Sequence, residues 1–385
     1  MCTGVRLLSL SCLLALLLII PLPESSAEFS ESSVGISPDK AAHYIHAVIK
    51  ANRTIYSQYL VDRLNEAVGL NATENWEQDK TLPLPVQFLL MSAEQVRSQE
   101  VGLDYKLMSL WPINENNGPA TEIERDGLLS VMGNPDEPFN WIVKEGKRVL
   151  FNAIYSDRAV AKRCVSCHNA HAKSPNKNFK VGDVMGGILV QFPVARVAGP
   201  DDAEARYQVL PEVLADYIHA ILEADRTIYT KHVVQRLETE KVSYASENWW
   251  ENNCLLLPAQ FLLNASDLVQ SLRLGFDYRL ISLWPVNPHN GAANEFERYG
   301  LESVAESPRK PYSGTTWVGR RPYFQAVYPD QAIASTCVSC HNAHPRSPKH
   351  NFKLNEVMGG IVVSIPLGQE VDLLALPGLD KNSDD

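Results

Sequence analysis

Apolar residues recur at three- and four-residue steps from Ala41 through Ile45, Val48, Ile49, Ile55, Tyr56 and Tyr59 to Leu64. That spacing predicts one long amphipathic helix. A second helix is expected over 85–99, where the string LPLPV supplies a proline start. LDYKLMSLW then alternates as a strand, EIERDGLLSVM reads as a short helix, and FNWIVKEGKRVLFNAIY reads as two strands around a Glu-Gly turn. VMGGILVQFPV supplies a last strand. The expected arrangement is α+β, one long helix packed with an antiparallel sheet.

The whole pattern then returns at a constant offset of 173 residues. His46 recurs as His219, Arg53 as Arg226, Trp76 as Trp249, Trp111 as Trp284 and Cys164 as Cys337. No gap is needed up to Pro193 and Pro366. A repeat of this size is a domain, and two copies make no solenoid. Residues 38–194 and 210–367 are therefore expected to be two homologous domains, joined by a linker at 195–209 that mixes Gly, Pro and charge without apolar periodicity. An acidic tail follows at 368–385. Residues 1–27 read as an export signal peptide, with Arg6, an apolar run from Leu7 to Ile20, and small residues at Ser25, Ser26 and Ala27. The run is short for a spanning helix. The expectation is a soluble mature chain, periplasmic or secreted, with no transmembrane span.

A formal net charge of -10 argues against nucleic-acid binding through a general basic surface. Of the seven cysteines, Cys2 and Cys12 lie in the leader, and Cys254 stands alone. The others form two close pairs, Cys164 with Cys167 and Cys337 with Cys340, a pattern unlike a disulfide framework.

Each pair sits in the same string, Cys164-Val165-Ser166-Cys167-His168 and Cys337-Val338-Ser339-Cys340-His341. C-x-x-C-H is the attachment signature of c-type haem. Two thiols so spaced form thioethers to the porphyrin vinyl groups, and the next histidine becomes the proximal iron ligand. A zinc site or a dithiol redox pair uses similar spacing. Two copies in register within an exported, otherwise diverged pair of domains favour two c-type haems, since a zinc site across the domains leaves His168 and His341 without a role.

The sixth iron ligand separates electron transfer from ligand binding. Candidates are His46 and His219 on the first helices, with Met185 and Met358 on the last strands as the alternative. His171 and His344 follow the proximal histidine too closely and are expected to bond a propionate or the loop. Lys162, Arg163, Lys173, Lys177 and Lys180 gather near the first motif, and Arg346, Lys349 and Lys353 near the second, available to propionates or an acidic partner. Arg53 and Arg226 break the apolar helix pattern in both copies and are candidates for a pocket role.

The succession RTIYSQYLVDRL, LPLPVQFL, GLDYKLMSLWPIN and CVSCHNAHAKSPNKNFKVGDVMGGILV resembles a bacterial family of extracytoplasmic c-type haem sensor domains with a PAS-like fold. Its members look like input modules of histidine kinases and nucleotide cyclases. The resemblance implies two PAS-like domains, haem attached at Cys164, Cys167, Cys337 and Cys340, and axial His168 and His341. The position before Gly186-Gly187 is often arginine in the family but is Met185 here, and Met358 in the second copy. Family sensors usually continue into a membrane helix and an output domain, whereas this chain stops soon after Pro366, so a signal is expected to pass to a separate partner. The leading expectation is a dihaem protein for redox sensing or electron transfer, serving a periplasmic redox partner or a membrane signalling protein. Alternatives are a gas or small-ligand sensor, and a dihaem peroxidase using Glu122 or Glu124 as its acid-base group.

Overall fold

Pro38 occupies the first helical position and Ser37 accepts the Lys40 amide, so α1 (Pro38–Ile55) begins with both a preset φ and a side-chain cap. The computed structural model describes residues 35–197 and 206–368. The proposed leader, the middle of the linker and nearly all of the acidic tail lie outside the described residues. After α1 come α2 (Pro85–Ser98), β1 (Asp104–Met108), α3 (Glu122–Gly133), β2 (Phe139–Glu145), β3 (Arg148–Arg158), α4 (Lys162–Ala170) and β4 (Val184–Pro193). The second copy repeats them as α5 (Pro211–Ile228), α6 (Pro258–Ser271), β5 (Asp277–Ile281), α7 (Glu295–Glu306), β6 (Tyr312–Val318), β7 (Arg321–Gln331), α8 (Ser335–Ala343) and β8 (Val357–Pro366).

The first helix is not one continuous α-helix as its period implied. It widens into a π-helix over Tyr56–Asp62 and returns to α over Arg63–Val68, and the second copy does the same at Tyr229–Gln235. At the widening the Ser57 hydroxyl donates to the Arg53 carbonyl at 2.8 Å, and Thr230 to Arg226 at 2.7 Å. A hydroxyl inserted into the main-chain ladder accompanies such distortions, and π-turns gather at functional sites.

Each repeat builds a four-stranded antiparallel sheet, ordered β1-β4-β3-β2 in the first and β5-β8-β7-β6 in the second. Register is set by pairs such as Tyr105 with Val190 and Asn152 with Gln191. Central β3 and β4 are buried along most of their length, while edge strand β2 is partly open. That difference follows from α1 covering one face of the sheet and α3 the other. The Gly-Gly pair of β4 is steric: a Cβ on Gly186 would stand 2.2 Å from the Met108 carbonyl, and one on Gly187 2.7 Å from Ile154.

The two repeats share one hydrophobic core. Helix α1 packs on α6 and α5, and α2 packs on α5, so each copy covers the other. Equivalent residues meet across an internal two-fold relation, as in an isologous interface. Phe88 meets its counterpart Phe261 at 5.9 Å, flanked by Tyr56 stacked on Phe88 at 4.2 Å and Tyr229 stacked on Phe261 at 4.7 Å. Asn52 likewise donates its amide to its counterpart Asp225 in the buried interior. The outer parts of the linker are paired, with Ala195–Val197 antiparallel to Arg206–Gln208 and Val209 bridging Ile36.

Burial pushes the Asp225 carboxyl up to about 6 although the Asn52 amide donates to it. A raised native value means that the folded chain holds this proton more tightly than the unfolded chain, where Asp titrates near ~3.9. The resulting stability is fully present below about pH 4 and is lost as pH rises through about 6. Relative to wild type, Asp225→Asn should therefore gain about 2–3 kcal/mol between about pH 4 and pH 7, read as the shift in urea midpoint at the two values.

Candidate functional site

Between β3 and β4 the chain leaves the sheet and returns, carrying the cysteine motif. The base of this excursion is pinned by Ala159, whose amide donates to Asp183 and whose carbonyl accepts Gly182. The motif itself is helical, where a loop was expected: Cys164, Cys167 and His168 lie on α4 at spacings of three and four, which put them on one face. The start of this helix is tied to the first helix: Asp62 accepts the Lys162 amide at 3.2 Å and Gln58 donates to the Val160 carbonyl at 3.0 Å. The loop beyond is closed by Asn169, which donates to and accepts from Phe179 at 2.9 and 3.0 Å. Asn342 and Phe352 repeat this pair at 2.9 and 2.8 Å.

Beside α4 lies a cavity of about 1280 Å³, above the roughly 300–1,000 Å³ usual for small-molecule sites. Cys164, Cys167 and His168 line it together with Arg53, Ser57 and Val61 from the first helix, Trp111, and Met185-Gly186 at the start of β4. Ser109 fixes the wall at Trp111 by donating to the Met185 carbonyl at 2.7 Å and accepting the Trp111 amide at 3.0 Å. Ser282 repeats both bonds with Met358 and Trp284. All five cysteines among the described residues are free thiols.

Burial raises the Cys164 and Cys167 thiols, so both stay protonated, and it lowers His168, helped by the charges of His171 and Arg53. A neutral imidazole is the metal-binding form. His168 and His341 each bury an Nδ1 without a hydrogen-bond partner. Arg53 forms a buried ion pair with Asp157 at 2.8 Å, and Arg226 pairs with Asp330 in the second copy. Burial raises the Asp157 carboxyl against the opposing pull of Arg53.

The remaining candidates are dispersed. Met185 lines the cavity but packs with Ala159, Phe179, Trp111 and Cys164, and Met358 takes the same place beside Phe352 and Trp284. His46 is not among the cavity-lining residues; it stacks on Tyr155 at 4.0 Å, and burial drives it down to about 3. His219 stacks in the same way on Tyr328 at 3.9 Å. Glu124 pairs with Lys106 at 2.8 Å and accepts the Ala120 amide, and neither it nor Glu122 lines the cavity. His171 accepts the Lys173 amide and lies 3.3 Å from Glu74. Asp157, Ser109 and Glu74 are not among the residues the sequence points to, and Trp111 stands out there only as a landmark of the repeat. One signal was available, since Asp157 and Asp330 interrupt an apolar strand at the repeat offset of 173.

Among the described residues no helix is long and apolar enough to cross a membrane. None of their His, Cys, Asp and Glu side chains form a group of three or more arranged to hold a metal ion. The model of the Tll0287-like family matches residues 34–193 and again 207–366. No curated protein and no solved structure matches the chain.

Arg53→Met leaves the Asp157 carboxylate buried without its partner and should lower stability by about 3–5 kcal/mol. Removing both charges in Arg53→Met/Asp157→Leu should recover most of that loss, and urea unfolding of the two variants against wild type checks it.

Proposed function

The chain belongs to the Tll0287-like family of haem sensor domains, in two copies, and on that premise we propose that each copy carries one covalently attached c-type haem and serves in redox sensing or electron transfer. The observation that carries this reading is the single helical face holding Cys164, Cys167 and His168 against a cavity large enough for a porphyrin. The donor set suits it. A zinc ion takes four protein ligands in a structural site. Two thiols and one imidazole fall short of that and match only an open zinc site, for which no group of three is arranged among the described residues, whereas porphyrin iron needs only one donor from the chain.

Residue roles follow from chemistry and place. Cys164 and Cys167, with Cys337 and Cys340, would hold the haems through thioethers, and His168 and His341 would supply an imidazole nitrogen to the iron. Phe179 and Phe352 meet the edges of these imidazoles at 6.0 and 5.9 Å and hold the rings in orientation. Arg163 and Lys173 line the same cavity and are placed to neutralise propionates. Met185 and Met358 stand as the candidates for the sixth ligand ahead of His46 and His219, because Met185 lines the cavity and His46 does not. A haem held in this way supplies a one-electron iron couple. Thioether attachment of this kind is made outside the cytoplasm, which agrees with the export leader read at residues 1–27 and with a partner met in that compartment.

Intact-mass analysis of protein from a host with c-type maturation machinery should show two haems per chain. Cys164→Ser/Cys167→Ser and Cys337→Ser/Cys340→Ser should each remove one. Bare polypeptide from that host overturns the reading. With both haems attached, no shift of the ferrous Soret band under carbon monoxide is expected; a shift would mark an open iron and move the assignment to small-ligand sensing.

A further inference from the structure

Two short straps, residues 72–83 and 245–256, join one repeat's site to the other repeat. Each strap is closed on itself: Ala72-Thr73 pairs with Leu82-Pro83, and Ala245-Ser246 with Leu255-Leu256. Gln87 holds the first strap by donating to the Glu74 carbonyl at 2.8 Å while accepting the Leu84 amide, and Gln260 does the same for Glu247 and Leu257. One end of each strap faces its own cysteine motif. Glu74 lines the cavity and lies 3.3 Å from His171, and Glu247 lies 3.2 Å from His344.

The middle of each strap is gripped by the opposite repeat. Arg236 lays its guanidinium over the Trp76 ring at 4.8 Å and donates to the carbonyls of Trp76 and Thr81. Its counterpart Arg63 covers Trp249 at 4.6 Å and donates to the carbonyls of Trp249 and Cys254. A planar guanidinium that stacks and forks onto two carbonyls fixes both distance and orientation, which a lysine would not. Both arginines follow directly on the π-helices, Tyr56–Asp62 and Tyr229–Gln235. The first of these contributes Ser57 and Val61 to its own cavity.

We infer that Arg63 and Arg236 are positioning residues for the cofactor site of the opposite repeat. Arg236 holds the strap that orients His171 and the α4 end of the first site, and Arg63 holds the strap that orients His344 and the α8 end of the second. The two sites are thereby coupled crosswise through protein contacts. The inference deepens the haem reading above and rests on it for its functional meaning, but the contacts belong to the polypeptide alone.

The test is a crossover in the full chain. In bare polypeptide, Arg236→Met should speed amide hydrogen exchange at residues 162–171 at least threefold and leave 335–344 unchanged; Arg63→Met should do the reverse. Methionine keeps an apolar stem on the tryptophan while removing the donors. In the first repeat, where Gln58 and Asp62 tie the π-helix to the cysteine helix of the same copy, a purely structural role of Arg63 would act through that π-helix and speed exchange at residues 162–171 instead. Faster exchange in the same repeat, in both equally, or in neither overturns the inference. In haem-loaded protein reduced to one haem by Cys337→Ser/Cys340→Ser, Arg236→Met should change the ferric-to-ferrous ratio at the wild-type midpoint at least threefold, with Arg63→Met changing it less. The opposite order overturns the coupling. A chain that takes up no haem overturns the haem reading, while the exchange experiment still decides the clasp.

Discussion

The fold depends on the mutual burial of two copies of the same helical layer. Each first helix has its own sheet on one side and must find apolar cover on the other, and that cover is the second copy. Phe88, Phe261, Tyr56 and Tyr229 form a row of rings through the contact, all nearly inaccessible to solvent. Full burial of one large apolar side chain contributes about 1.5–3 kcal/mol. A few of them approach the ~5–15 kcal/mol net stability of a whole domain. The halves are therefore one energetic unit, although the sequence divides them into two.

This burial also fixes where the chemistry sits. The helix that meets the other repeat through Asn52 and Arg63 presents Arg53, Ser57 and Val61 to the cavity. The π-helical widening carries residues of both duties. A regular α-helix repeats its faces every 3.6 residues, and an altered turn re-aims the residues that follow it. The same element thus lines a site and grips a neighbour, so packing at the interface and geometry at the site are set by one backbone.

Most of the architecture was legible because it rests on periodicity. The helices, the sheet strands and the repeat offset follow from spacing that local sequence carries. What spacing does not carry is which apolar face meets which partner, and the long helix gave no sign that part of its stripe belonged to the other copy. KRCVSCHNA lacks the apolar stripe that marks a helix in a sequence; in the first copy its helix is tied to Asp62 and Gln58, a hundred residues away in the chain. His46 lies on the covering helix, the ground on which it is a candidate iron ligand. Its ring stacks on Tyr155, seven residues before Arg53 reaches the cavity, a separation that only the packed sheet reveals. That Cys164, Cys167 and His168 come together on one face follows from their spacing of three and four once the segment is helical.

Fusion of two copies permits a difference that a symmetric pair of identical chains does not. At the internal two-fold relation a homodimer must place two identical side chains together, and two buried aspartates would repel unless they shared a proton. Asn52 facing Asp225 gives one amide donor to one carboxylate, a satisfied bond without like charge. The same freedom reaches the sites. Cavity-lining Met108 and Arg163 stand where the second copy has Ile281 and Thr336, and Asp62, which caps the first cysteine helix, stands where it has Gln235. Equal backbones with unequal side chains beside the two cysteine motifs give the motifs different electrostatics, held in fixed relation by the core they share.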